Sequence, residues 1–271
     1  MPVVTMQELL ESGVHYGARA SLWCPKMAPY IHSKHSDIHI IDLRETLKGV
    51  IRACRFLEQI NAQGKRAIFV GTKRQASEVV RAEAARAGQF FVAGRWLGGT
   101  LTNLRTIRER ISRLEELEEL EKSGAMAEFS KKMISNINRE KTKISANFEG
   151  IREMKGLPGA IILIDPKNEH IALAEAMKLG VPVVALADTD CNPDPIDFLI
   201  PGNDDSFRSI SLIITLMADA CERGRKKYQE TAQVQERAAG AQAGGAQQQG
   251  RRPQRVDAAG LSAASFGGKE E

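Results

Sequence analysis

The sequence predicts an α/β fold, a parallel-sheet three-layer sandwich interrupted by an inserted antiparallel coiled-coil hairpin. Three observations predict it. Short, continuously apolar runs such as "AIFVG" (67–71), "AIILID" (160–165) and "PVVALAD" (182–188) have the character of strands buried on both faces. Stretches of helical periodicity separate these runs. One long stretch, 102–156, breaks the alternation with two apolar stripes at heptad-like spacing.

Taken in chain order, "HIIDL" (39–43) reads as a strand before a helix from about Glu45 to Asn61. On that helix Leu47, Ile51, Cys54, Leu57 and Ile60 recur three or four residues apart, the spacing of a buried face. "AIFVG" then leads into an amphipathic helix carrying Val79, Val80 and Ala84, which ends near Gly88, and "FFVAG" (90–94) follows. In the irregular stretch, Leu104, Ile107, Ile111, Leu114 and Leu117 make one stripe, and Met133, Ile137, Ile144, Phe148 and Ile151 make another. "KSGAMAE" supplies the turn between them, and each arm is roughly 28–40 Å long. Beyond it come "AIILID", a helix over 168–179, "PVVALAD", a short strand "DFLIPG" (197–202) and a helix from about Ser206 to Tyr228. The expected organisation is therefore 1–101 with 157–230 as the sandwich, 102–156 as the hairpin, and 231–271 as a disordered Ala/Gln/Gly-rich tail.

Composition excludes several classes. The 42% hydrophobic and 27% charged content is that of a soluble globular protein, and no apolar run approaches the ~20 residues of a membrane span. The start lacks the basic-then-apolar layout of a secretory signal, and Cys24, Cys54, Cys191 and Cys221 form no CxxC pair, so a cytoplasmic protein with reduced thiols is expected. Charge is uneven: residues 73–113 hold nine Lys/Arg against three Asp/Glu, and 157–230 hold seven against twelve. That asymmetry suits one face for an anionic polymer and another facing solvent or protein.

Candidate chemistry narrows quickly. "VGTKRQAS" (70–77) joins a strand to a helix, so Gly71, Thr72 and Lys73 either cradle a phosphate or form an ordinary turn; neither a Walker loop nor GxGxxG is present. His15, Cys24, His32, His35 and His39 cluster in sequence, but their spacing matches no zinc site, and no metal or cofactor is expected. Asp188, Asp190, Asp194, Asp197, Asp204 and Asp205 sit among prolines and asparagines, which favours turn and cap chemistry over a cation site; Asp205 or Ser206 is expected to cap the last helix. No nucleophile with its base follows a strand, so an enzyme is not expected. In "GRWLGGTLTN" (94–103), Gly98 and Gly99 permit an unusual turn, Thr102 or Asn103 can cap the next helix, and Arg95, Arg105, Arg108 and Arg110 surround it. Either Trp96 and these arginines meet RNA, or Trp96 packs on the sheet and the arginines are solvated.

The ordered blocks "GVHYGARASLWCPKMAPYI", "HIIDLRETL", "FVGTKRQA", "GRWLGGTLTN", "GLPGAIILIDP" and "IDFLIPGNDDSFRSI" closely resemble the bacterial small-subunit ribosomal protein two family, over about residues 3–228. The resemblance implies a nucleotide-binding-like sandwich with a coiled-coil insertion and a non-enzymatic role. It further implies binding to small-subunit rRNA near the head–body junction, neighbouring ribosomal proteins, and help in docking ribosomal protein one for initiation, at the ribosome in the cytoplasm. From charge and local chemistry, the expected RNA-contacting residues are Lys26, Lys73, Arg74, Arg95, Trp96, Arg105, Arg108 and Arg110.

Overall fold

A computed structural model describes residues 4–124 and 129–248, with side-chain surroundings up to residue 233. Residues up to Gln229 form one compact unit and those from Glu230 another. The first unit is built on a five-stranded parallel sheet of order β5-β4-β6-β7-β8, comprising β4 (Ala67–Val70), β5 (Phe90–Val92), β6 (Ala160–Ile164), β7 (Val183–Ala187) and β8 (Phe198–Pro201).

Alternation along each strand feeds two separate cores. Phe69, Ile162, Leu186 and Ile200 point to one side, where they meet α2 (Leu43–Ala62), α3 (Arg74–Ala87) and α7 (Phe207–Gln248) through Leu57, Val80 and Ile214. Ile68, Val70, Ile161, Leu163 and Ala185 point to the other side, against α6 (His170–Leu179) and the inserted helices. Both faces are covered, which is why these strands carry no polar residue. At Gly49, a Cβ would stand 2.5 Å from the Leu199 carbonyl oxygen, so α2 lies directly on β8. Gly49→Ala is expected to cost about 1–3 kcal/mol by overpacking, checked as a lower urea midpoint at unchanged m-value.

The run 39–43 departs from expectation. It does not join the parallel sheet; its residues form β3 (Ile38–Ile41), the centre of a separate antiparallel sheet with β1 (Tyr16–Arg19) and β2 (Ile31–His35), in the order β1-β3-β2. The reason is local: β2 and β3 are joined by Ser36 and Asp37, both at positive φ (47° and 65°), a tight hairpin turn that makes the pair antiparallel. A short helix α1 (Met6–Glu11), closed by a capping box between Thr5 and Glu8, precedes this sheet.

The insertion consists of α4 (Leu104–Lys122) and α5 (Lys131–Phe148). Ile107, Ile111, Leu114, Ile144, Phe148 and Ile151 join the second core over the sheet, and Leu117 and Ile137 are also buried. The expected stripes hold except for Met133, which is exposed. Arg113 pairs with Glu140, Lys141 with Glu121 and Arg152 with Glu118 between the two arms and their ends. Part of the expected turn, 125–128, lies outside the described residues. So does 249–271 of the tail; before it, α7 is helical to Gln248, consistent with the high helix propensity of Ala and Gln. Among the described residues no helix is long and apolar enough to cross a membrane.

Candidate nucleic-acid interface

Sheet order decides where the loops can act. The chain passes from β4 to β5 on one side, then returns past β4 to β6 on the other, so the segments after β4 and β6 diverge toward opposite helical layers. A crevice opens there at the carboxyl ends of the strands, the usual ligand position in such sheets. In this protein its own side chains fill it.

Lys73, just after β4, contacts three carboxylates: Asp165 at 2.7 Å, Asp205 at 2.8 Å and Asp204 at 2.9 Å. Asp165 ends β6 in the left-handed region (φ 59°), where its carboxylate also accepts the N–H groups of Lys167 and Asn168. Burial disfavours the Lys73 ammonium, but the surrounding carboxylates overcome this and hold its pKa above the usual lysine range. Asp204 is pushed up to about 7 by its burial and by Asp165, with Lys73 opposing. Beside this cluster, Glu169 accepts the Thr72 N–H at 3.0 Å and is also bonded by the Thr72 hydroxyl.

These contacts correct the expectation for Lys73. An ammonium enclosed by three carboxylates is not available to an RNA phosphate, and the strand-to-helix loop at Thr72 presents its N–H to Glu169. Within the acidic half 157–230, Asp165, Glu169 and Asp204 are buried and turned onto the segment after β4, as an anchor for it, whereas Asp194, Asp197 and Asp205 are exposed. Among the described residues, no three His, Cys, Asp or Glu side chains converge as a metal-binding group.

The second anchor is Glu175, on the core-facing side of α6 and only 8% exposed. Its carboxylate accepts the N–H of Gly99 at 2.7 Å, Leu101 at 2.9 Å and Thr102 at 3.0 Å, with the Trp96 indole N–H at 3.2 Å. Burial raises its pKa, but these donors outweigh that and leave it below the usual value. Gly99 adopts φ 93°, which an L side chain rarely accepts, and the turn carries the chain into α4. Capping here differs from expectation. Asn103 stands at the N-cap of α4, but its side chain makes no cap bond. Before α7, the Asn203 side-chain oxygen accepts the N–H groups of Asp205 and Ser206.

Trp96 is 5% exposed and packs in the second core. Its expected stacking on RNA is corrected: both ring faces are inside and its polar edge is bonded, so packing on the sheet is the reading that holds. Arg74, Arg95, Arg108 and Arg110 are exposed and make no ion pair among the described residues. Arg105 meets only the exposed Glu109 one helical turn on, and Lys26 meets the exposed Asp194. Arg74 follows β4 and Arg95 follows β5, at the carboxyl ends of those strands, and Arg105, Arg108 and Arg110 lie in the first two turns of α4.

The inward carboxylates escaped the sequence reading. A signal was present for one of them: in "HIALAEAMKL", Ala172, Glu175, Ala176 and Leu179 share the buried helical spacing, so a carboxylate stands where an apolar residue belongs.

Comparison with known proteins adds a family. The family model described as Ribosomal protein S2 matches residues 9–224. The small ribosomal subunit protein uS2 of Rhodopirellula baltica is 49% identical over 227 residues, covering 84% of this chain and 87% of that relative.

Proposed function

The chain belongs to the ribosomal protein S2 family, a structural and non-enzymatic one, and on that premise we propose that it is a constituent of the small ribosomal subunit that binds small-subunit rRNA. The observation that carries the RNA reading is the set of exposed guanidinium groups of Arg95, Arg108 and Arg110 flanking a turn fixed from behind by Glu175, with exposed Arg74 after β4. Guanidinium groups bond phosphate oxygens in pairs, and a fixed turn orders them without the entropy cost of a mobile loop. Arg105 and Lys26 take secondary places, since an exposed ion pair exchanges readily for a phosphate. These contacts position the protein; rRNA is read mainly by its shape.

Within this reading, residues 1–101 and 157–230 act as the sandwich scaffold, and 102–156 acts as a coiled-coil hairpin reaching along RNA near the head–body junction. The protein works at the ribosome in the cytoplasm. Docking of ribosomal protein one belongs to the same proposal. Leu157 and Met177, exposed at the amino end of the sheet and away from the arginines, support a protein neighbour there.

A tagged copy in lysate gradients tests residence: it should sediment with the small subunit, and with joined ribosomes at high Mg²⁺. A copy that stays at the top while subunits are intact would end the proposal. Arg95→Ala/Arg108→Ala/Arg110→Ala should weaken RNA binding and flatten its dependence on salt by about 2–3 in log–log slope. An unchanged slope in a binding titration would remove these arginines from the interface.

A further inference from the structure

The small antiparallel sheet carries a second feature. Tyr16 pairs with Ile40 and Arg19 with Ile38, four residues matched against three, so a bulge lies between Tyr16 and Arg19. In a regular strand, residues three apart point to opposite faces. The bulge turns both onto one face, and it also frees the Ala18 N–H to bond Asp188 at 2.8 Å and the Thr189 hydroxyl at 3.0 Å. From β2, Ser33 opposite Ile40 and His35 opposite Ile38 complete that face. Tyr16 is 50% exposed and Ile38 38%, and Arg19, Ser33 and His35 are exposed beside them.

On the opposite face β3 is covered. His39 is buried, with Trp23 edge-on to it at 5.2 Å, so the sheet cannot turn over. An open hollow of about 700 Å³ borders the platform, between Arg19 and Ser21 on one side and Lys34, Asp37 and Ile38 on the other. Charge is one-sided. Ser12–Ser36 contains no Asp or Glu, Asp37 is neutralised by Lys34 at 3.0 Å, and Arg19 makes no ion pair among the described residues.

We infer that this face is a binding platform for an unpaired segment of ribosomal RNA. The inference rests on the RNA reading above but uses different residues and a different mode. The Tyr16 ring and Arg19 guanidinium stand on rows two residues apart along β3, about 7 Å. That spacing receives two splayed bases on an aromatic ring and a guanidinium plane. Ile38 and Ile40 supply apolar contact, and the unpaired guanidinium of Arg19 attracts the phosphates. Stacking faces engage splayed bases and not bases already paired and stacked in a duplex, so the platform selects single strands, whereas the arginines of the first interface contact backbone in either form.

The experiment measures binding of the full chain to a labelled twelve-nucleotide oligoadenylate and to a twelve-base-pair RNA duplex. Tyr16→Ala should weaken the single strand about tenfold and the duplex less than twofold, and Tyr16→Phe should retain binding. The Arg95→Ala/Arg108→Ala/Arg110→Ala variant should weaken both RNAs. Equal loss on both probes in Tyr16→Ala, no loss on either, or a wild-type protein that ignores the single strand would each overturn the platform. Loss confined to Tyr16→Ala, with the triple variant unaffected on both, would instead sink the first interface and leave the platform standing.

Discussion

Lys73→Met is expected to lower stability by about 3–5 kcal/mol at pH 7.5. The loss comes less from the lysine than from what it leaves behind. Asp165 and Asp204 are mostly buried beside each other, and without the ammonium their charges face only one another and Asp205. The effect should depend on pH with a definite sign. Asp204 has a raised pKa, about 7, so its favourable contribution is complete below the unfolded aspartate value and is lost as pH rises through about 7. Removing Lys73 moves that window upward, so the variant should recover part of its stability at pH 5.5. Urea unfolding of both proteins at the two pH values measures this. A loss of equal size at both would mean that packing, and not the carboxylates, sets the cost. Asp204→Asn in the Lys73→Met background should restore part of the stability at pH 7.5.

Glu175→Gln is the second large effect, about 2–4 kcal/mol. The glutamine keeps the shape but offers one acceptor oxygen to the N–H groups of Gly99, Leu101, Thr102 and Trp96, and turns its own NH₂ toward them. Because the Glu175 pKa is lowered on folding, its contribution is present above the unfolded glutamate value, ~4.3, and disappears as pH falls through the folded one. Wild type and variant should therefore converge in acid. RNA affinity offers a sharper test. Removing a negative charge near an RNA site strengthens binding if only net charge matters, but Glu175→Gln should weaken it, because the turn that aims Arg95 and α4 loosens. A tighter-binding variant would refute the anchoring role.

The main fold was legible because its strands are buried on both faces, and a doubly buried strand announces itself as an unbroken apolar run. β4, β6 and β7 needed nothing more. β1 and β2, "YGAR" and "IHSKH", were not legible: they form half-exposed edges, have no apolar alternation, and are fixed by a two-residue turn and by Asp188 some 170 positions away. That also misplaced β3, whose apolar residues read like those of the parallel sheet. At the interface, the positions of the arginines were legible from charge alone. Which basic residues are enclosed was not, because Lys73 and Arg74 are neighbours in sequence and differ only in what the distant Asp165 and Asp204 do. Trp96 shows the same limit: a tryptophan among arginines fits stacking on RNA, and a buried glutamate on another helix decides otherwise.

The long reach of the Ala18–Asp188 bond has a consequence for how the chain is made. The first sixty residues leave the synthesising machinery early, yet their fixed partners arrive late. Ala18 waits for Asp188, Cys24 for the Thr189 carbonyl, and the Thr46 hydroxyl for the Pro201 carbonyl at 2.6 Å. β1 can pair with β3, and α2 can meet α1 and β4, early. Until β7 and β8 have emerged, however, the faces of β1 and α2 that bond Asp188 and Pro201 lack those partners, and apolar surface beside them stays open to other nascent chains. Assembly is therefore gated by the last third of the folded chain. A product truncated before about residue 205 should be aggregation-prone throughout, with no stable amino-terminal half to rescue it, and pulse-labelled protein should gain protease resistance in one late step.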